Sequence, residues 1–167
     1  MGSFVIKLAS TEQMPHSVHL FLEQVFHELW NGCSFVINAH HILQLGPHSI
    51  SKPHKNLVKR FQDLKLDKTA YQEYNETYPH KKFTVGFAGR PAGPDLYINK
   101  VDNTENHGPG GQDQHTLEEE ADPCFGTIVE GKALLEAIFK LPTRGAQEIL
   151  KDDISVLNTQ ILDHYEK

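Results

Sequence analysis

The spacing of apolar residues changes period several times along the chain. Ser3–Ala9 ("SFVIKLA") alternates, the period of a strand with one buried face. Val18, Phe21, Leu22, Val25 and Leu29 then recur on one face of a helix, with Pro15 in its first turn and Asn31-Gly32 as its stop. Cys33–Leu45 reads as two short strands or one bent strand. Residues 46–82 are polar and irregular, with Leu57, Phe61 and Leu64 spaced for a short helix. Phe83–Gly89 and Asp95–Val101 predict strands on either side of the turn Arg90–Pro94, and Asp102–His115 predicts a loop. Cys124–Val129 predicts a strand, Gly131–Pro142 a helix that its proline ends, and Asp153–Leu162 a closing strand.

No repeat is visible, and the middle of the chain lacks the regular helices that parallel crossovers need. Short strands separated by glycine- and proline-bearing loops predict an antiparallel β-barrel capped by two helices, built as one domain over residues 1–167 with 46–82 as an irregular insertion. The length suits a single self-sufficient core. No apolar run reaches the roughly 18 residues of a membrane span, so a soluble protein without membrane insertion is expected. Sixteen Lys and Arg against 22 Asp and Glu give a net charge of −6, which argues against a nucleic-acid surface. Compartment is not legible from the residues.

Candidate chemistry is sparse. The two cysteines, Cys33 and Cys124, form no CxxC pair and read as partly buried thiols, with a disulfide as the alternative. His16 and His19 are spaced as a helical pair but lack a third ligand. Gly108–Gly111 lacks the Lys-Ser/Thr of a phosphate loop. His40 and His41 open three alternatives: metal ligands, a catalytic pair, or the lining of a groove. Neighbours on a strand point to opposite faces, so these two could not grip one ion, and neither metal nor cofactor is expected.

Particular words raise the groove reading. "PHSVHLFLEQV", "DLYINKVDN", "CFGTIVEGKALLEAI" and "YQEYNETYPHKKFTVGFAG" stand in the order of similar segments in the cyclophilins, so the chain resembles those peptidyl-prolyl cis-trans isomerases over roughly residues 3–162. The resemblance implies their eight-stranded barrel. "SFVINAHHILQ" resembles one wall of the family's proline-binding groove. On that basis Gln44 falls on the active-site glutamine, His41 and Ile42 on the pocket Phe and Met, Tyr97 on the aromatic floor, and Leu117 near a pocket leucine; the middle-strand asparagine falls on Gly86 or Phe87.

Such a groove needs no covalent step. The barrier is the lost resonance of the X-Pro amide, about 18–20 kcal/mol, and donors that favour the twisted amide lower it. The arginine that supplies the key donor in cyclophilins is missing: its position falls on Val36 or Ile37, neither of which can donate. The pocket histidine falls on Asp122 or nearby, the pocket tryptophan has no counterpart, and Arg90 lies in a turn from which it could swing in. The strand that precedes "SFVIKLA" in the family is also absent, so Phe4–Leu8 and Ile154–Leu162 are expected to flank a gap, which upstream sequence or a partner would fill. The expectation is a domain that binds a proline-containing peptide or protein partner, or serves within a longer chain or larger assembly, with weak or no turnover. The alternative is an active isomerase with a replaced donor.

Overall fold

The computed structural model describes residues 1–48, 57–113, 117 and 119–162. Eight strands form one antiparallel sheet: β1 (Val5–Leu8), β2 (Ser34–Asn38), β3 (Ile42–Gly46), β4 (Thr84–Phe87), β5 (Leu96–Asn99), β6 (Cys124–Glu130), β7 (Thr143–Arg144) and β8 (Ile149–Ser155). Their order is β1-β6-β4-β5-β3-β2-β8-β7. The sheet curls, since the Phe4 ring beside β1 lies 6.4 Å from the Phe35 ring of β2. It does not close. β1 bonds to β6 alone and β8 to β2 and β7, so the expected barrel is open between its first and last strands. Among the described residues the edges of the sheet are β1 and β7, so the gap expected beside Phe4–Leu8 is bordered on its other side by β7, which pairs with Ile149 and Leu150, and β8 lies earlier than Asp153–Leu162. Leu150 is its buried residue, and residues 157–162 are not strand.

The helices are α1 (Pro15–Phe26), α2 (Val58–Asp63), α3 (Thr104–His107) and α4 (Lys132–Phe139). The two predicted from periodicity, α1 and α4, are the long ones. α1 buries Val18, Phe21 and Val25 as its spacing implies. It stops at Phe26 because Glu28 turns left-handed at φ 54°, and Leu29 and Trp30 enter the core from the turn instead. The residue before the helix, Met14, offers no capping oxygen. Glu73 supplies one from 57 residues away: its carboxylate accepts the His16 N–H at 2.8 Å, the Ser17 N–H at 2.8 Å and the Ser17 hydroxyl at 2.7 Å. This satisfies donors that a helix start leaves unpaired and sets a negative charge at the positive end of its dipole. At the far end of α4, the Asn38 amide donates to the carbonyls of Phe139 (3.2 Å) and Leu141 (3.1 Å), tying β2 to that helix.

The core lies between the sheet's inner face and the helices. Phe87 stacks on Phe125 at 4.6 Å, Phe125 meets Phe21 of α1 at 5.3 Å, and Trp30 meets Phe61 of α2 at 5.3 Å. Cys33 and Cys124 are both buried, more deeply than expected, and no disulfide joins them. Burial pushes the Cys124 thiol up to about 11.

Candidate functional site

A second apolar cluster occupies the opposite, outer face of the sheet. Ala39, Ile42 and Tyr97 are buried there, with Ile37 and Ala88 packed against them. Strand alternation explains most of this. Tyr97 pairs with Gln44 across β3 and with Gly86 across β4, and cross-strand partners share a face. Leu96 and Phe87 pair on the other face and enter the core. Ile37 is the exception. Phe35 points inward, so Ile37, two residues on, should follow it, but the register shifts between Phe35 and Ile37. A bulge at Val36 turns Ile37 outward beside Tyr97.

The structure therefore brings together Ile42, Tyr97 and Ile37, with Gln44 and His41 at the margins. Gln44 is engaged: its amide donates to Asp95 at 2.7 Å. Asp95 has its carboxyl pushed up by burial, against the opposing pull of Gln44 and His48. Phe87 is not part of the groove; it lies fully buried in the main core, because alternation gives the outer position of β4 to Gly86. A side chain at Gly86 would collide with the Tyr97 hydroxyl and the Pro123 carbonyl, each at 2.7 Å from its first carbon. Leu117 is exposed on its loop and is not among the residues of the cluster.

Tyr97 is not an open floor. Its side chain is 1% exposed, and the ring of His107 stacks over it at 4.8 Å. His107 sits at the end of α3, a single helical turn inside the predicted loop. It faces His41 on its other side at 5.7 Å and His80 at 5.7 Å. The Asp122 carboxylate orients it, 2.6 Å from its Nδ1. Asp122 also accepts from Arg90 Nη1 at 3.0 Å and from the Gln112 amide at 2.8 Å. Burial works to raise the Asp122 pKa, but the hydrogen bond and charge of His107, with Arg90 and Gln112, hold it below the ordinary carboxylate value.

Several buried polar atoms here have no hydrogen-bond partner among the described residues: the Tyr97 hydroxyl, His107 Nε2, His41 Nδ1, and Nε and Nη2 of Arg90. Burial pushes the Tyr97 phenol well above its ordinary value, with Asp122 and Cys124 adding and Arg90 opposing. Burial, then His40 and His107, lower His41. Unpaired polar atoms gathered in one place are costly in a folded protein. His40, His41, Asn106, His107, Gly111 and Gln112 line an open cavity of about 440 Å³ beside the strip.

His40 and His41 do not lie on a strand. They form the turn between β2 and β3 with ring centroids 4.6 Å apart, so alternation does not separate them. Even so, no three His, Cys, Asp or Glu side chains among the described residues are arranged to hold a metal. No described helix is long and apolar enough to cross a membrane. Sequence reasoning missed His107 as a site residue. Its signal was indirect: Asp122 fell where the resemblance expects the pocket histidine, and His107 is the imidazole that Asp122 orients.

Comparison with known proteins fits this geometry. No curated protein matches the chain in sequence. Two crystal structures of a cyclophilin type peptidyl-prolyl cis-trans isomerase from Cryptosporidium parvum, one determined in the presence of the dipeptide Ala-Pro, share the fold at a TM-score of 0.65 and 14% identity. They cover 94% of this chain and 89% and 90% of theirs. The family model described as cyclophilin type peptidyl-prolyl cis-trans isomerase/CLD matches residues 1–161, and the chain belongs to that family.

Proposed function

We propose that this cyclophilin-family domain binds a proline-containing segment along the outer strip of Ile37, Ile42 and Tyr97 and turns it over weakly or not at all. The observation that carries this is Ile37. The bulge at Val36 places it on the strip beside Tyr97, at one of the two positions, Val36 or Ile37, where the resemblance expects a guanidinium. An isoleucine can pack against a proline ring but cannot donate to a twisting amide. His107 over Tyr97 further narrows access to the aromatic floor. The strip keeps an apolar surface for a ring and lacks the donor that favours the transition state over either planar amide.

A second reading, an active isomerase with a replaced donor, is favoured by Arg90. Asp122 holds its guanidinium near the strip, and its Nε and Nη2 have no partner. A protease-coupled assay on a proline peptide separates the two. The first reading expects turnover at least about a hundredfold below that of an arginine-bearing cyclophilin, the scale of one lost donor. It also expects a gain from Ile37→Arg and no change from Arg90→Ala. Full turnover that Arg90→Ala abolishes would establish the second reading. Full turnover that Arg90→Ala leaves intact would remove both.

A further inference from the structure

Gln44 stands opposite Tyr97 in the ladder, on the outer face of the sheet, and its side-chain amide is held from one side. Asp95, two residues before Tyr97, shares that face. Its Oδ2 accepts from Gln44 Nε2 at 2.7 Å, and its Oδ1 lies 3.7 Å from His48 Nε2. The carboxylate is itself seated. The Ala88 N–H donates to the Asp95 main-chain carbonyl at 2.8 Å. A side chain at Gly46 would begin 2.8 Å from Asp95 Oδ1 and 3.0 Å from its Cγ, so the glycine leaves the space that the carboxylate fills.

A carboxylate only accepts hydrogen bonds, so this contact decides which end of the Gln44 amide meets Asp95: the amino end. The amide is planar, so Oε1 is turned away from Asp95. Among the described residues Oε1 receives no hydrogen bond, and it is not one of the buried polar atoms that lack a partner. In a half-buried side chain it is therefore open to solvent.

We propose that Asp95 is a positioning residue for the strip: it holds Gln44 so that a carbonyl oxygen is presented to a bound segment, as the acceptor for the backbone N–H of a residue next to the proline. The inference rests on the proline-binding reading above and names a contact that the segment makes. Proline itself carries no N–H, so the donor belongs to a neighbour. An acceptor for a flanking N–H grips planar and twisted prolyl amides alike, so it adds binding without adding turnover.

Calorimetry on the whole chain at pH 8 tests this with acetyl-Ala-Ala-Pro-Ala-Ala amide and two esters of it. In one, lactic acid replaces the alanine before the proline; in the other it replaces the alanine after it. Each puts an oxygen where the N–H was and keeps the shape. One of the esters is expected to bind about tenfold weaker than the amide, the scale of one lost hydrogen bond. In Gln44→Leu the penalty is expected to fall to about twofold, the baseline for the ester itself. In Asp95→Asn, whose amide donates as well as accepts, the Gln44 orientation is no longer imposed, and the penalty is expected to fall below about threefold. A merely structural role for Asp95 would weaken amide and ester alike and keep their ratio. If Asp95→Asn fails a melting control, Gly46→Ala, which crowds the same carboxylate, replaces it. Equal binding of amide and esters to the wild-type chain, or a full penalty in Gln44→Leu, overturns the acceptor and leaves the proline reading standing. A full penalty in Asp95→Asn overturns positioning by Asp95. The all-alanine peptide and its esters form the proline-free arm: the same penalty there, with no preference for proline, keeps the acceptor and removes the proline reading. Binding of no peptide at millimolar concentration removes both.

Discussion

The two faces of the sheet are built on opposite terms. The inner face is apolar, with Phe87, Phe125 and Phe21 in ring contact and no exposed area on Phe87, and its unpartnered buried polar atoms, Trp30 Nε1 and Gln24 Oε1, are scattered. The outer strip is just as buried at Tyr97, yet five polar atoms around it have no partner. Burial on the inner face stabilises the fold. Burial on the outer face desolvates groups without repaying them, the signature of a surface kept for something else. Tyr97 and Leu96, adjacent in β5, sit on opposite sides of this division.

The largest test is on the inner face. Phe87→Ala should destabilise the domain by about 3–5 kcal/mol, as deletion of a close-packed core aromatic does. Urea unfolding measures it, and a loss below about 1 kcal/mol would mean that this face is not close-packed. On the outer face, Asp122→Asn should cost about 1–3 kcal/mol near neutral pH by removing the negative charge and one of the two oxygens that accept from Arg90 and His107. Its pH dependence has a definite sign. The Asp122 pKa is lower in the folded state than in the unfolded chain, so its contribution is present above the unfolded carboxylate value, near 4, and is lost as pH falls through the folded value. Asn at this position should flatten the acid side of a plot of melting temperature against pH; a wild-type acid limb in the variant would show that Asp122 does not carry it. The smallest effect should come from Tyr97→Phe. Removing a buried hydroxyl without a partner should leave stability unchanged or raise it by up to about 1 kcal/mol. A loss of more than 1 kcal/mol would show that the hydroxyl is satisfied after all and would weaken the contrast between the faces.

The sequence carried the inner face better than the outer one. Alternation and helical spacing report which residues face a core, so α1, α4, β4 and β6 were legible within a few residues. β8 was misplaced because Leu157, Ile161 and Leu162 continue an apolar pattern after Ile154 although all three are exposed. The outer site depends on events that spacing does not encode. One is the bulge at Val36, which reverses the parity of Ile37 and left the choice between Val36 and Ile37 open. Another is the single helical turn of α3, too short to show a period, which sets His107 over Tyr97. Phe87 was assigned to the groove by position alone, when its partner Leu96 commits it to the core.

The cap that Glu73 places on α1 has a kinetic consequence. A helix capped by its own sequence can complete its first turn as soon as it nucleates. α1 must wait for the segment around Glu73 to dock, and that long-range closure is among the later, slower events of folding. The helix start should therefore be unfastened in the folding transition state, so that Glu73→Gln speeds unfolding and leaves the refolding rate nearly unchanged, a low φ-value at the beginning of an otherwise well-formed helix.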